Sequence, residues 1–205
     1  MGKIRYEDAH LLAASHAAMA ADPRQETARA LLMAFVPPDE AQARERIKIL
    51  GFLLEHSDAL HRRCLEGHLT ASSVIIHGDG TRGLLTHHRK LERWLQLGGH
   101  CDGDGNLAAA ALREAIEESG IADLKIDPRP VDLDVHSIPA RPAKGARPAE
   151  PEHLHLDVRF LVYAPLEAKL VISEESKDLA WVHPEELDRY GADASLRRLF
   201  VHAFP

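Results

Sequence analysis

Residues 98–121 read GGHCDGDGNLAAAALREAIEESGI, and the fold turns on how the acids in this stretch are understood. Its first part interleaves acids, an amide and glycines in the manner of an oxygen cage for a cation. A calcium loop of the D-x-D-x-N-G-x5-E type needs glycine at its sixth position and a bidentate Glu at its twelfth. Counted from Asp102, Asp104 and Asn106 fall in place, but the sixth residue is Leu107 and the twelfth is Arg113. A guanidinium stands where the strongest carboxylate ligand is needed, so the loop is a turn that leads into a helix. Leu107–Ser119 is rich in strong helix formers, with Gly120 placed for a left-handed C-terminal cap. At about 100° per residue, Ala108, Ala109, Leu112, Ala115, Ile116 and Ser119 share one side. Glu114, Glu117 and Glu118 share the other, where like charges three and four residues apart repel by roughly 0.2–0.5 kcal/mol per pair. Arg113 cannot neutralise all of them. Either this is a solvated acidic face, or a divalent ion relieves the repulsion.

The spacing resembles the Nudix box, which reads G, five residues, E, seven residues, then R-E-U-x-E-E-x-G-U with U a bulky aliphatic. Gly99, Arg113, Glu114, Ala115, Ile116, Glu117, Glu118, Ser119, Gly120 and Ile121 fall in register. Two positions depart: the first Glu is Gly105 and the first aliphatic is the small Ala115. In the family that first Glu supports the loop and helix from outside the metal's own ligands, and Asp102 and Asp104 are the carboxylates at hand to replace it. The resemblance implies a MutT-like Nudix hydrolase of class α+β, an α/β/α sandwich with a mixed sheet. It implies Mg²⁺ or Mn²⁺ held by Glu114, Glu117, Glu118 and the Gly98 carbonyl, with Arg113 orienting the carboxylates. It also implies a substrate in which a nucleoside diphosphate is linked to another moiety. Glu114 is ligand or base; in some members the base lies on a later loop, for which the stretch ISEESKD offers Glu174 and Glu175. The rival from another class is a Nudix-fold module that senses a nucleotide-like ligand without turnover. An isomerase of isoprenoid diphosphates shares the fold, but Cys101 reads as loop packing and not as half of a Cys/Glu catalytic pair.

Composition bounds the rest. A hydrophobic content of 45% supports a core, and 5% aromatics means that it rests on Leu, Ile, Val and Ala. A net charge of −7 argues against a nucleic-acid polymer as partner, although a metal can still bring in a polyanionic small molecule. Cys64 and Cys101 have no paired spacing, which fits a reducing cytoplasm. No run approaches the ~20 apolar residues of a membrane span, and Glu7 and Asp8 argue against a transit peptide.

By pattern residues 1–66 form a helical extension, and the resemblance implies a Nudix domain over residues 67–205. Tyr6 to Ala20, rich in Ala and Leu, reads as a helix. Asp22-Pro23-Arg24-Gln25 has the form of a capping box opening a second helix, which ends near Phe35 ahead of Val36-Pro37-Pro38. Asp39 to about Glu55 gives a third, with Ile47, Leu50, Phe52 and Leu53 as its apolar side, and a short helix follows to Leu65. Such helices need a surface to bury against, so they cap the catalytic domain or build a homodimer contact. Ser72–His77 and Leu84–His88 read as a hairpin about Gly78-Asp79-Gly80, and Trp94–Leu97 enters the box. Strands near Val131–Ile138, His153–Tyr163 and Leu179–Val182 follow, then helices at Pro184–Tyr190 and Ala194–Ala203. Residues 139–152, PARPAKGARPAEPE, make a loop too long for routine hairpin chemistry.

Two of these strands alternate with period two. Asp132, Asp134 and His136 interleave with Val131, Leu133 and Val135; His153, His155, Asp157 and Arg159 interleave with Leu154, Leu156, Val158 and Phe160. Their polar faces are either the outside of an ordinary half-exposed sheet or the lining of the substrate cleft. In the second case His136, His153 and His155, with His100 from the box loop, are candidates to meet phosphate or a second metal.

Overall fold

The structure is a computed structural model and describes residues 5–143 and 149–205. The middle of the Pro/Ala-rich loop lies outside the described residues; on either side of it Arg141 and Glu150 form an isolated bridge. In chain order the strands are β1 (Leu12–Ala13), β2 (Gly67–Ile76), β3 (Gly83–His88), β4 (Arg93–Leu95), β5 (Leu97–His100), β6 (Lys125–Ile126), β7 (Asp132–Ile138), β8 (His153–Tyr163) and β9 (Ser176–Val182). The α-helices are α1 (Gln25–Ala34), α2 (Glu40–Glu55), α3 (Leu107–Ser119) and α4 (Ala194–Ala203), with 3₁₀ segments at Ala17–Met19 and Pro184–Tyr190.

The sheet is organised around a parallel pair, β2 and β8, in register from Gly67↔Leu154 to Ile76↔Tyr163. The outer edge of each is shared by two partners. Thr70–Ser73 of β2 pair with β5, and Ile75–Ile76 pair with β3, which carries β9 and β4. The first half of β8 pairs with β7, and its end with β6, which carries β1. Every residue of β2 is buried, because both faces are covered. Leu69, Ala71 and Ile75 of β2, with Leu156, Val158, Phe160 and Val162 of β8, face the cluster built with α1, α2 and α3. Val74, Ile76, Leu161 and Tyr163 face the opposite cluster, closed by Leu196, Leu199 and Phe200 of α4. Helices on both sides of a mixed sheet give the α+β sandwich expected from the sequence.

The N-terminal region packs on the sheet of its own chain. Ala28, Leu32, Phe35, Ile49 and Leu53 enter the same cluster as Leu107, Leu112 and Ala115 of α3. Buried Gln42 acts as an artificial strand neighbour for β7: its Nε2 donates to the Leu133 carbonyl at 2.9 Å and its Oε1 accepts from the Leu133 N–H at 2.8 Å. An edge that would leave both groups unpaired in the interior is thereby satisfied.

Several expectations for this region need correction. Tyr6–Ala20 is not a helix: Leu12 and Ala13 pair with Ile126 and Lys125, and only Ala17–Met19 coils, as a 3₁₀ turn. Intrinsic propensity is a small force even for Ala and Leu, and pairing with the edge of β6 overrides it. Asp22 is not the N-cap of α1. Arg24 holds that position without a side-chain cap, while Asp22 binds the Arg24 and Thr27 side chains and Gln25 Nε2 donates to the Leu53 carbonyl. On α2, Asp39 does cap, accepting from Gln42 N at 2.8 Å, but Ile47 is 65% exposed. Ile47 lies about 200° around the helix from buried Ile49, so it points away from the core. Turns, not a helix, occupy the stretch between α2 and β2.

Candidate active site

α3 begins at Asn106, whose side-chain oxygen accepts from Ala109 N, and ends at Gly120 with φ 71°, whose N–H bonds the Ile116 carbonyl. Along it Glu117 is exposed, Glu114 half-buried and Glu118 buried. The expectation that all three carboxylates share a solvent-facing side therefore fails for Glu118. The helix lies in a trough between the sheet and the N-terminal segment, and Glu118 turns to the β5 strand, where its Oε2 accepts from Gly98 N at 3.0 Å. Glu114 Oε1 accepts from Arg113 Nη2 at 3.1 Å, and the same Nη2 donates to the His100 carbonyl at 3.0 Å. A Cβ on Gly99 would lie 2.4 Å from Glu114 Oε2, so this carboxylate rests directly on the β5 backbone and only glycine leaves it room.

The electrostatics are those of crowded acids. Burial pushes the Glu118 carboxyl up to about 7 against the Gly98 N–H, and the charges of Glu114, Glu175 and Glu117 push the same way. Burial also raises Glu114, against the pull of Arg113. Glu175 is thus the member of the ISEESKD stretch whose charge bears on Glu118; Glu174 contributes its backbone carbonyl to Arg89 Nε at 2.9 Å. Both are exposed. Cys101 is buried in the core, and burial followed by Asp157 and Asp104 raises its thiol far above the usual range, in keeping with loop packing.

The family model for the NUDIX domain matches residues 67–204. The chain belongs to the Nudix family. With that membership comes the expected class, a hydrolase of phosphorus-containing acid anhydrides. Among solved structures, the dihydroneopterin triphosphate pyrophosphohydrolase of E. coli is similar at a TM-score of 0.51 and 20% identity, over 66% of this chain and 94% of that one. The Ap4A hydrolase of C. elegans in a binary complex is similar at a TM-score of 0.48 and 22% identity, over 65% of this chain and 95% of that one. At such identities the likeness is one of fold. No curated protein matches this sequence.

The departure from the Nudix box at Gly105 has a structural cause. A Cβ there would lie 2.1 Å from the Arg24 carbonyl oxygen, because the N-terminal segment runs across the box loop. Gly105 N donates to the Asp22 carbonyl, and Asp104 Oδ1 accepts from Asp22 N at 2.9 Å and Asn106 N at 2.8 Å. Asn106 Nδ2 adds bonds to the Ala18 and Ala20 carbonyls. Of the two acids at hand to support the loop, buried Asp104 is built into it, whereas Asp102 makes a surface pair with Arg62 at 3.3 Å. Gly105→Glu, which restores the usual Nudix residue, should therefore destabilise this chain by about 1–3 kcal/mol, the usual cost of overpacking. A thermal melt checks it: a midpoint equal to or above wild type would show that the loop accommodates the side chain.

The polar face of β7 and β8 resolves into two parts. Toward α4, Arg159 binds Asp157 (2.9 Å), Asp132 (3.1 Å), Asp134 (3.1 Å) and Ser195 Oγ (2.7 Å), and Arg198 binds Asp132 and Asp134. Asp157 also accepts from Thr70 and Ser72 of β2. These acids are committed to tying three strands to α4. Burial alone would raise the Asp134 carboxyl, but the hydrogen bond from His136 and the Arg159 charge outweigh it and hold the group well below its ordinary range. A carboxyl depressed in the folded state stabilises the fold above its unfolded value of about 4, and the contribution is lost as pH falls through the folded value. Asp134→Asn should accordingly lower the urea midpoint at neutral pH and converge with wild type in strong acid. Parallel curves across the acid range would contradict this role.

The other part is a patch of imidazoles. His100, His136, His153 and His155 do come together, around a fifth, His68, with ring centroids 4.9 Å (His68–His100), 5.0 Å (His68–His153), 4.9 Å (His68–His155) and 5.6 Å (His136–His155) apart. They lie on the face of the sheet opposite α3, since Gly99 faces Glu114 and His100 is the next residue along the strand. Sequence reasoning misses His68 because it starts the strand at Ser72. The period-two set His68, Thr70 and Ser72 is the signal that extends it.

Proposed function

We propose that the chain is a Mg²⁺- or Mn²⁺-dependent hydrolase that cleaves the diphosphate of a nucleoside diphosphate linked to another moiety. The observation that carries this reading is the buried Glu118 carboxylate, loaded with the negative fields of Glu114, Glu175 and Glu117. Arg113 is paired with Glu114 and leaves the group net negative. An oxygen-only, net-negative, half-buried donor set suits a hard divalent cation. Glu114, Glu117 and Glu118, with the Gly98 carbonyl, would hold it. When bound, such an ion supplies neutralisation of phosphoryl oxygens and a more acidic water.

The protein's own groups have separable tasks. Gly98 N–H fixes the rotamer of Glu118. Arg113 clamps Glu114 to the His100 carbonyl, joining helix to strand. Glu175, exposed and within electrostatic reach of Glu118, is our choice for proton acceptor, with Glu174 and Glu114 as the alternatives. The chain would act on small nucleotide-like molecules in the cytoplasm. Two buried free thiols fit that compartment, and among the described residues no helix is long and apolar enough to cross a membrane.

The test is a set of nucleotide sugars, dinucleoside polyphosphates, coenzyme A, ADP-ribose and nucleoside triphosphates, each with Mg²⁺, with Mn²⁺ and with chelator. Metal-dependent release of a phosphorylated product from one of them is the expected result. Binding of a nucleotide without product under any of these ions would install the sensor reading in its place.

A further inference from the structure

We propose that His68, His153 and His155 form a binding site for one transition-metal ion of the zinc class, distinct from the carboxylate helix and independent of the activity argued above. β8 presents His153 and His155 on one face, two residues apart, and the parallel register sets His68 of β2 directly beside His155. One ring nitrogen from each of the three lies within 4.8 Å of the others. Tetrahedral zinc with bonds of 2.0–2.1 Å needs nitrogens about 3.4 Å apart, a contraction that side-chain rotation supplies.

Four further observations point to a cation. His68 is 2% exposed, and neither of its nitrogens makes a hydrogen bond of ordinary geometry, although the Cys64 carbonyl lies to one side. Leaving a buried polar atom unpaired costs about 1–3 kcal/mol, and nothing in the fold explains why His68 bears it. His153 Nδ1 faces the Pro151 carbonyl at 2.9 Å, which places its proton there and leaves the Nε2 lone pair free. Glu150, engaged with Arg141, lies 3.9 Å from that Nε2 and adds a negative charge beside the site. Burial and then the neighbouring imidazoles of His100, His68, His136 and His153 push the His155 ring down to about 2, so the lone pairs stay available. An anion is held best by protonated rings, and burial opposes protonation of His68 and His155. Imidazole donors select zinc, nickel or copper, whereas the carboxylates of α3 suit magnesium or manganese.

The untagged full chain, stripped with chelator and held in excess Mg²⁺ to occupy the carboxylates, is titrated with Zn²⁺ against a chromophoric chelator. One equivalent should bind and raise the melting temperature. His68→Ala and His155→Ala should each weaken binding by more than the roughly 10–100-fold lost when an outer hydrogen-bond partner is removed. His155 is half-exposed, so its variant stays informative should His68→Ala fold poorly. Cys64→Ser should change nothing, and Co²⁺ in the site should show no thiolate charge-transfer band. Absence of binding, or binding that survives both histidine variants, would overturn the site. Loss in Cys64→Ser would move the ion to His56, Cys64 and Glu66, the other trio of suitable spacing among the described residues. Stabilisation by inorganic phosphate instead of Zn²⁺, dependent on His155, would make the patch an anion site and sink the proposal.

Discussion

Glu118→Gln is expected to cut metal-dependent hydrolysis by at least about 100-fold while leaving the melting temperature equal to or above wild type. The activity loss follows if Glu118 is a metal ligand, since a ligand's share of charge stabilisation is worth several kcal/mol and each 1.4 kcal/mol is about tenfold. The stability follows from what Glu118 touches. Its carboxylate is buried, accepts one N–H from Gly98 and is repelled by Glu114, Glu175 and Glu117. The glutamine amide oxygen can accept the same bond, and the repulsion disappears with the charge. Activity and stability should therefore move in opposite directions, the mark of a residue kept for function at some cost in stability. Near-normal turnover in this variant would remove the carboxylate helix from the mechanism. A collapse in stability with activity lost in proportion would make Glu118 a structural residue.

A chain starting at Gly67 should fail to give a stable, soluble protein. Four side chains of the missing region, Leu32, Phe35, Ile49 and Leu53, are at most 6% exposed and cover α3 and the sheet. Each is worth roughly 1.5–3 kcal/mol, and together they rival the whole stability of about 5–15 kcal/mol of an ordinary domain. Truncation would also unpair both Leu133 backbone groups and free the box loop from Asp22, Ala18 and Ala20. Its purification yield, melting curve and size in solution are the measurements, and the size of the parent chain tests the homodimer contact that was the alternative for these helices. A monodisperse, equally stable fragment would show that residues 1–66 are dispensable.

Features with a local cause were legible in the sequence. The box, the Gly120 terminus and the two-residue alternation of β7 and β8 each depend on residues close in the chain. What was not legible depends on distant neighbours. Leu12 and Ala13 look helical until β6 offers an edge. Glu118 looks solvent-facing on a helical wheel, which carries no information about the strand lying against that side. Gly105 looks like a lesion in the box until the Arg24 carbonyl is seen in the space a side chain would need. In the same way His136, His153 and His155 could be placed on faces, but their meeting with His68 depends on a register between strands far apart in sequence.

That register also orders events during synthesis. Thr70 of β2 and its partner Asp157 of β8 stand 87 positions apart. At about 5–20 residues per second, β2 leaves the ribosome roughly 4–17 s before the strand that fills its long side exists. The hairpin with β3, the pairing with β5 and the α3 turn can all form in that interval, because their partners follow closely. α2, by contrast, packs chiefly on β7 and α1 on α2, so the helices made first dock last, once β7 and β8 have paired and offer them a surface.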